Sequence, residues 1–122
     1  MTPEETVRTY AAAWGETDPA RRHEMLERSW TDEGVYCDPL RVAEGRAALE
    51  RTIGEFQARN PGATIPLASG VDEHHGFVRF RWRVVRPDGS AATEGFDVGE
   101  LAPDGRLRRI TGFFGPFPEL PA

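Results

Sequence analysis

Twice in its second half this chain makes the same tight turn. Pro87-Asp88-Gly89 and Pro103-Asp104-Gly105 each interrupt a run in which apolar and polar residues alternate. Proline presets φ, aspartate bonds nearby backbone and glycine reaches positive φ, so both tripeptides are turn chemistry. Connections this short join only antiparallel neighbours. The runs they separate are His75 to Arg86, Ala91 to Leu101 and Arg106 to Phe114. In the first of these, Val78, Phe80, Trp82 and Val84 share one face, and Arg79, Arg81 and Arg83 share the other. An earlier run, Ala63 to Val71, alternates Ile65, Leu67 and Val71 on one side, and Pro66 within it places it at a sheet edge or bulge. Everything after Gly62 therefore reads as a meander of four antiparallel strands.

The first half reads differently. Thr2-Pro3-Glu4-Glu5 is a helix start, with Thr2 as cap and Glu5 closing a capping box. Val7, Tyr10, Ala11 and Trp14 follow at helical spacing, and Gly15 is the stop. Asp18-Pro19 repeats the start signal for a second helix, suggested by Met25, Leu26 and Trp30 and ending near Ser29. Thr31 to Gly34 is a turn, and Val35 to Asp38 is a short strand closed by Pro39. A third helix, Gly45 to Arg59, buries Leu49, Ile53 and Phe56 and ends at Asn60-Pro61-Gly62. The expected architecture is α+β: three N-terminal helices packed on a strongly curved antiparallel sheet, within one domain spanning residues 1–122. Three helices seldom fill the hollow of a bent sheet, so a cone-shaped cavity at one end is the expected consequence.

Composition narrows the function. The chain has 122 residues and a formal charge of −5, which disfavours a nucleic-acid partner because phosphate neutralisation needs a basic surface. Its 39% hydrophobic and 29% charged residues are those of a soluble globular protein, and no apolar run is long enough to span a bilayer, so no membrane partner is expected. Met1 to Glu5 lacks the apolar core of a secretory signal, which makes a cytoplasmic location the expectation. Every cationic residue is Arg and none is Lys, a bias that suits a GC-rich bacterial genome. Cys37 is the lone cysteine and reads as a small hydrophobe. No Gly-x-Ser-x-Gly elbow and no phosphate-cradling glycine loop occurs, and the acidic and histidine residues match no metal motif, so neither cofactor nor metal is expected.

Several segments, in order, resemble one superfamily. They are Trp14, the stretch from Trp30 through Thr31-Asp32-Glu33-Gly34 to Tyr36-Cys37-Asp38-Pro39, and Gly45-Arg46-Ala47-Ala48-Leu49. Arg79-Phe80-Arg81-Trp82, Gly95-Phe96-Asp97-Val98, Asp104-Gly105-Arg106-Leu107 and Gly112-Phe113-Phe114 complete the series. Together they resemble the nuclear-transport-factor-2-like (NTF2-like) superfamily and, within it, the SnoaL-like group. That resemblance implies a cone fold with a ligand pocket, and a carboxylic acid on the penultimate strand facing the ligand, which here is Asp97. The superfamily includes polyketide cyclases, ketosteroid-isomerase-like enzymes, epoxide hydrolases, dehydratases and proteins without chemistry. The Arg-x-Asp pairing of limonene-type epoxide hydrolases is absent, since Arg79-Phe80-Arg81 stands in its place.

The residues allow two readings at each candidate position. Asp97, between Phe96 and Val98, is either a cavity-facing acid/base or a carboxylate paired with Arg81 or Arg108. Tyr36 and Asp38 share a strand face and could polarise a carbonyl and move a proton; alternatively Tyr36 is a core aromatic and Asp38 ends the strand by bonding backbone. His75 could enter the pocket as an acid/base or be an ordinary turn residue, its neighbour His74 pointing the other way. Trp14, Trp30, Arg79, Trp82 and Phe113 are the candidate ligand contacts. With Asp97 inward, Phe96 and Val98 form an apolar patch on the outer sheet surface, the expected face of a homodimer. Two functions remain. One is cofactor-free acid/base catalysis (isomerisation, aldol cyclisation or dehydration) on a small apolar carbonyl compound. The other is a non-catalytic ligand-binding or dimerisation module.

Overall fold

The computed structural model describes residues 1–122. Helix α1 spans Pro3–Ala13, and its capping box is in place: the Thr2 hydroxyl accepts from the Glu5 N–H, and the Glu5 carboxylate accepts from the Thr2 N–H, both at 3.1 Å. Helix α2 spans Pro19–Ser29, with Asp18 as its cap. The chain then passes straight into β1, Trp30–Asp38, which is longer than the four-residue strand expected because Trp30 is itself strand and fully buried. The Arg46 guanidinium donates twice to the Trp30 carbonyl, at 3.1 and 2.7 Å, and so ties this junction to the start of α3, Arg46–Arg59.

The sheet has six strands in the order β2-β1-β6-β5-β4-β3, and it is curved and open rather than closed. Strand β2, Arg41–Glu44, folds back on β1 through Pro39-Leu40; the sequence reading had no strand there. Strands β4 (Phe77–Val85), β5 (Ala91–Leu101) and β6 (Leu107–Phe114) form the expected antiparallel meander. One pairing departs from that scheme. Strands β1 and β6 run parallel, with Cys37 opposite Thr111, because α3 and the whole meander lie between them in sequence and can carry the chain back to its starting end.

Two further corrections fall around the long strand. The segment 63–71 is not a strand; it touches β4 through isolated bridges at Thr64–Val85 and Leu67–Trp82, as Pro66 cannot donate to a ladder. In its place Asp72–His74 forms the short strand β3, and the two-residue turn His75-Gly76 joins it to β4 with φ of 51° and 82°. Positive φ at both central residues is the geometry that matches strand twist in a tight hairpin.

The helices cover the concave face. Val7, Tyr10 and Trp14 of α1, Leu26 of α2, and Leu49 and Ile53 of α3 share one core cluster with Trp30, Val78, Phe80, Trp82, Leu107 and Ile110 of the sheet. Tyr10 stacks on Trp30 with ring centres 5.4 Å apart. The cavity lies between the sheet and the C-terminal ends of α1 and α3.

Candidate functional site

The cavity has a volume of about 310 Å³. That is the low end of the range of about 300–1,000 Å³ in which small organic ligands bind. Its body is apolar, from Trp14, Phe56, Phe80, Trp82 and Phe114, and its polar groups are few: Tyr10, Tyr36, Asp38, Arg41, Asn60, Thr93 and Asp97.

Three strands bring the two carboxylates to one wall. Tyr36 and Asp38 are two residues apart on β1 and so share a face. Asp97 on β5 stands opposite Gly112 on β6, and the parallel register of β6 with β1 carries Gly112 alongside Asp38. A β-carbon at Gly112 would stand 2.7 Å from Asp97 Oδ1 and 3.7 Å from Asp38 Cβ. The missing side chain is therefore what lets both acids face the hollow across the middle strand.

The two acids are held in contrasting ways. Asp38 is saturated: its Oδ1 accepts the Leu40 and Arg41 N–H groups at 2.8 and 3.1 Å, and its Oδ2 accepts the Tyr36 hydroxyl at 2.5 Å and Arg41 Nη1 at 3.1 Å. Asp38 thus ends the strand by bonding backbone, and it lines the cavity as well. Asp97 is 5% exposed and has a single protein partner, the Trp82 indole N–H, 2.8 Å from Oδ1. No arginine reaches it; Arg108 pairs with Glu100, and Arg81 lies on the outer face. Burial in this apolar surround pushes the Asp97 carboxyl up to about 7, against the opposing pull of the Trp82 bond, and the nearby Asp38 charge adds to the rise. Burial, the charges of neighbouring groups and the bond to Asp38 likewise hold the Tyr36 phenol well above its ordinary value, so it stays protonated. Tyr10 is raised as well, by burial first and then by Asp97.

The remaining candidates divide. Trp14 and Trp82 line the cavity. Trp30 does not; it is a core residue whose indole N–H donates to the Gly34 carbonyl at 3.1 Å. His75 sits in the exposed β3–β4 turn, so its expected entry into the pocket is corrected: the strand it was assigned to begins two residues later. Arg79 is on the outer face, paired with Asp72 at 2.9 Å. Phe113 is also outward and half-exposed, and its neighbour Phe114 lines the cavity instead. The sequence reading passed over Arg41 and took Tyr10 and Phe56 for plain core. An Asp-Pro-x-Arg turn, which folds an arginine back onto its own aspartate, was the available signal for Arg41. No group of three or more His, Cys, Asp or Glu is arranged to hold a metal ion.

Comparison with solved structures gives close matches in shape. A SnoaL-like family protein from Agrobacterium tumefaciens str. C58, classed provisionally as an isomerase, is 35% identical, and the match covers 95% of this chain and all of that one with a TM-score of 0.88. An NTF2-like protein of unknown function from Exiguobacterium sp. 255-15 is 19% identical over 92% of this chain and 99% of its own, with a TM-score of 0.73. A Sinorhizobium meliloti protein, classed provisionally as a polyketide cyclase, is 17% identical over 88% of this chain and 93% of its own, with a TM-score of 0.69. At such identities the latter two speak for the fold alone. No family model matches the chain, and no curated protein matches it.

Proposed function

Since this chain belongs to the SnoaL-like family of NTF2-like proteins, we propose that its cavity is a cofactor-free acid/base site for a small, mainly apolar carbonyl compound. The observation that carries the reading is Asp97: a buried carboxyl on the wall of an apolar hollow, unpaired with any cation and poised near neutrality. A base whose pKa lies near the working pH is both available and strong enough to move protons. Trp82 fixes Oδ1, which leaves Oδ2 for the ligand.

In the proposed chemistry ionised Asp97 takes a proton from the carbon next to the carbonyl, leaving an enolate. Return of that proton to a different carbon completes an isomerisation. Attack of the enolate carbon on a second carbonyl of the same molecule, with the proton delivered to the new alkoxide, completes an aldol cyclisation. Loss of a β-hydroxyl that carries the Asp97 proton away as water completes a dehydration. In this reading Tyr36, protonated and on the same wall, polarises the carbonyl once its hydroxyl turns from Asp38 to the ligand.

Deuterium exchange tests this without knowledge of the final product. Mono- and bicyclic ketones and β-dicarbonyl compounds are incubated with the protein in D2O. The proposal expects deuterium at the α-carbon of at least one of them, and an exchange rate lowered ~100-fold or more in Asp97→Asn. Asp97→Asn exchanging at the wild-type rate would overturn it.

One observation favours the second reading, a pocket that binds without reacting. The Tyr36 hydroxyl proton is already engaged by Asp38, so Tyr36 as it stands does not donate to a bound carbonyl. In that case ligands bind with equal affinity to the wild type and Asp97→Asn, and neither exchanges deuterium.

A further inference from the structure

Two carboxylates on one wall of a small apolar cavity raise the question of which one exchanges protons and what decides it. The titratable groups facing Asp97 are Tyr10 from α1, Tyr36 and Asp38 from β1, and Arg41 at the start of β2. The other strands that line this wall, β4 and β6, supply only Trp82, Phe80, Val84 and Phe114 beside the bare Gly112. Arg41 is thus the single cation lining the hollow. Its Nη1 donates to Asp38 Oδ2 at 3.1 Å, and it makes no bond to Asp97.

We propose that Arg41 is a positioning residue: together with the turn it belongs to, it holds the Asp38 carboxylate against the start of β2 and leaves Asp97 as the one carboxyl of the wall with an oxygen free for a ligand. The geometry supports this division. The Asp38 side chain is 1% exposed, a setting in which a carboxylate needs partners for both oxygens. It receives four donors, one of them a cation, which satisfies both oxygens as an ion. Asp97 receives one neutral donor. The turn that delivers Arg41 is local and rigid. Pro39 follows Asp38 directly, and the aspartate takes the backbone N–H of Leu40 and of Arg41 itself, so anchor and cation arrive together. Without Arg41 the Asp38 charge would face Asp97 across Gly112 with no cation beside it.

The catalytic consequence rests on the acid/base reading above, but the effect of Arg41 on Asp97 is measurable without any ligand. The side-chain carboxyl carbon of 13C-labelled Asp97 is followed by NMR from pH 4.5 to 9. In the wild type Asp97 is expected to titrate with a midpoint near 7. In Arg41→Met, and in Arg41→Gln as a second variant should the first not fold, that midpoint should rise by roughly one pH unit. Arg41→Lys should restore most of the wild-type value, while Arg79→Met, which removes the same charge from the outer face, should leave it unchanged. An Asp97 midpoint that stays at the wild-type value in whichever neutral Arg41 variant folds would overturn the proposal. A failure of deuterium exchange with these titrations as expected would sink the catalytic reading and leave the role of Arg41 standing.

Discussion

At the scale of single residues, one nearly buried carboxyl on the cavity wall, Asp97, carries the proposed chemistry. Burial raises Asp97 from 3.8 to about 7, so the folded state binds its proton more tightly than the unfolded chain does. The sign follows: this group stabilises the fold fully below about pH 4, and the contribution is lost as pH climbs toward 7. The loss amounts to about 4 kcal/mol at most, and it ends above the folded-state value. Urea unfolding across that window should show stability falling in the wild type, and the slope should be absent from Asp97→Asn. Trp82→Phe keeps the ring and removes the indole donor. Because that bond favours the ionised form, its loss should move the Asp97 midpoint above 7 by roughly one unit, readable by carboxyl NMR. Gly112→Ala would drive a methyl into Asp97 Oδ1 and should displace that carboxyl, lowering any exchange activity at least ~10-fold, as misplaced groups do. Asp97 was legible in the sequence because an acid amid Phe96 and Val98 demands an explanation. The sequence did not decide between its two fates, since no pattern reports whether a cross-strand arginine reaches a given carboxylate.

At the scale of elements, the helices and the meander were readable from capping and alternation, and the misreadings share a physical cause. Each concerns a segment whose hydrogen-bond partner is remote or whose turn chemistry is unusual. Strand β2 is four residues of mixed polarity, and only the Asp38 turn makes it pair with β1. His75 holds φ of 51°, a value better suited to glycine or asparagine, so the hairpin through His75-Gly76 carried no signal. Segment 63–71 has strand alternation but lies outside the ladder, its Thr64 amide bonding Val85 and its Ala68 amide bonding Arg81. Those two amides should exchange with solvent well before those of Phe96 to Gly99 in β5, which is paired on both sides. Equal protection by hydrogen-exchange mass spectrometry would mean that the segment is a full strand.

At the scale of the whole molecule, the fold class was legible because every level of the sequence agreed on it, while the size and the lining of the hollow were not. Which of two neighbouring phenylalanines faces inward depends on register: Phe114 lines the cavity and Phe113 faces out. The proposed homodimer belongs to this scale. On the outer face Phe96 stacks on Phe113 at 5.3 Å and meets Phe117 at the same distance, with Phe117 72% exposed and Val98 beside them. An aromatic patch of this kind fits a second copy of the sheet. Sedimentation should give twice the 13.6 kDa of the chain, and Phe113→Glu should give a single chain; a wild type that sediments as one chain would remove the dimer. The cavity wall carries the proposed chemistry, and one titration addresses it directly. In the ligand-free wild-type protein the Asp97 carboxyl carbon should titrate with a midpoint near 7. A midpoint near 4, the ordinary value for a solvated aspartate, would mean that the carboxyl is hydrated or ion-paired, and the acid/base account would fail.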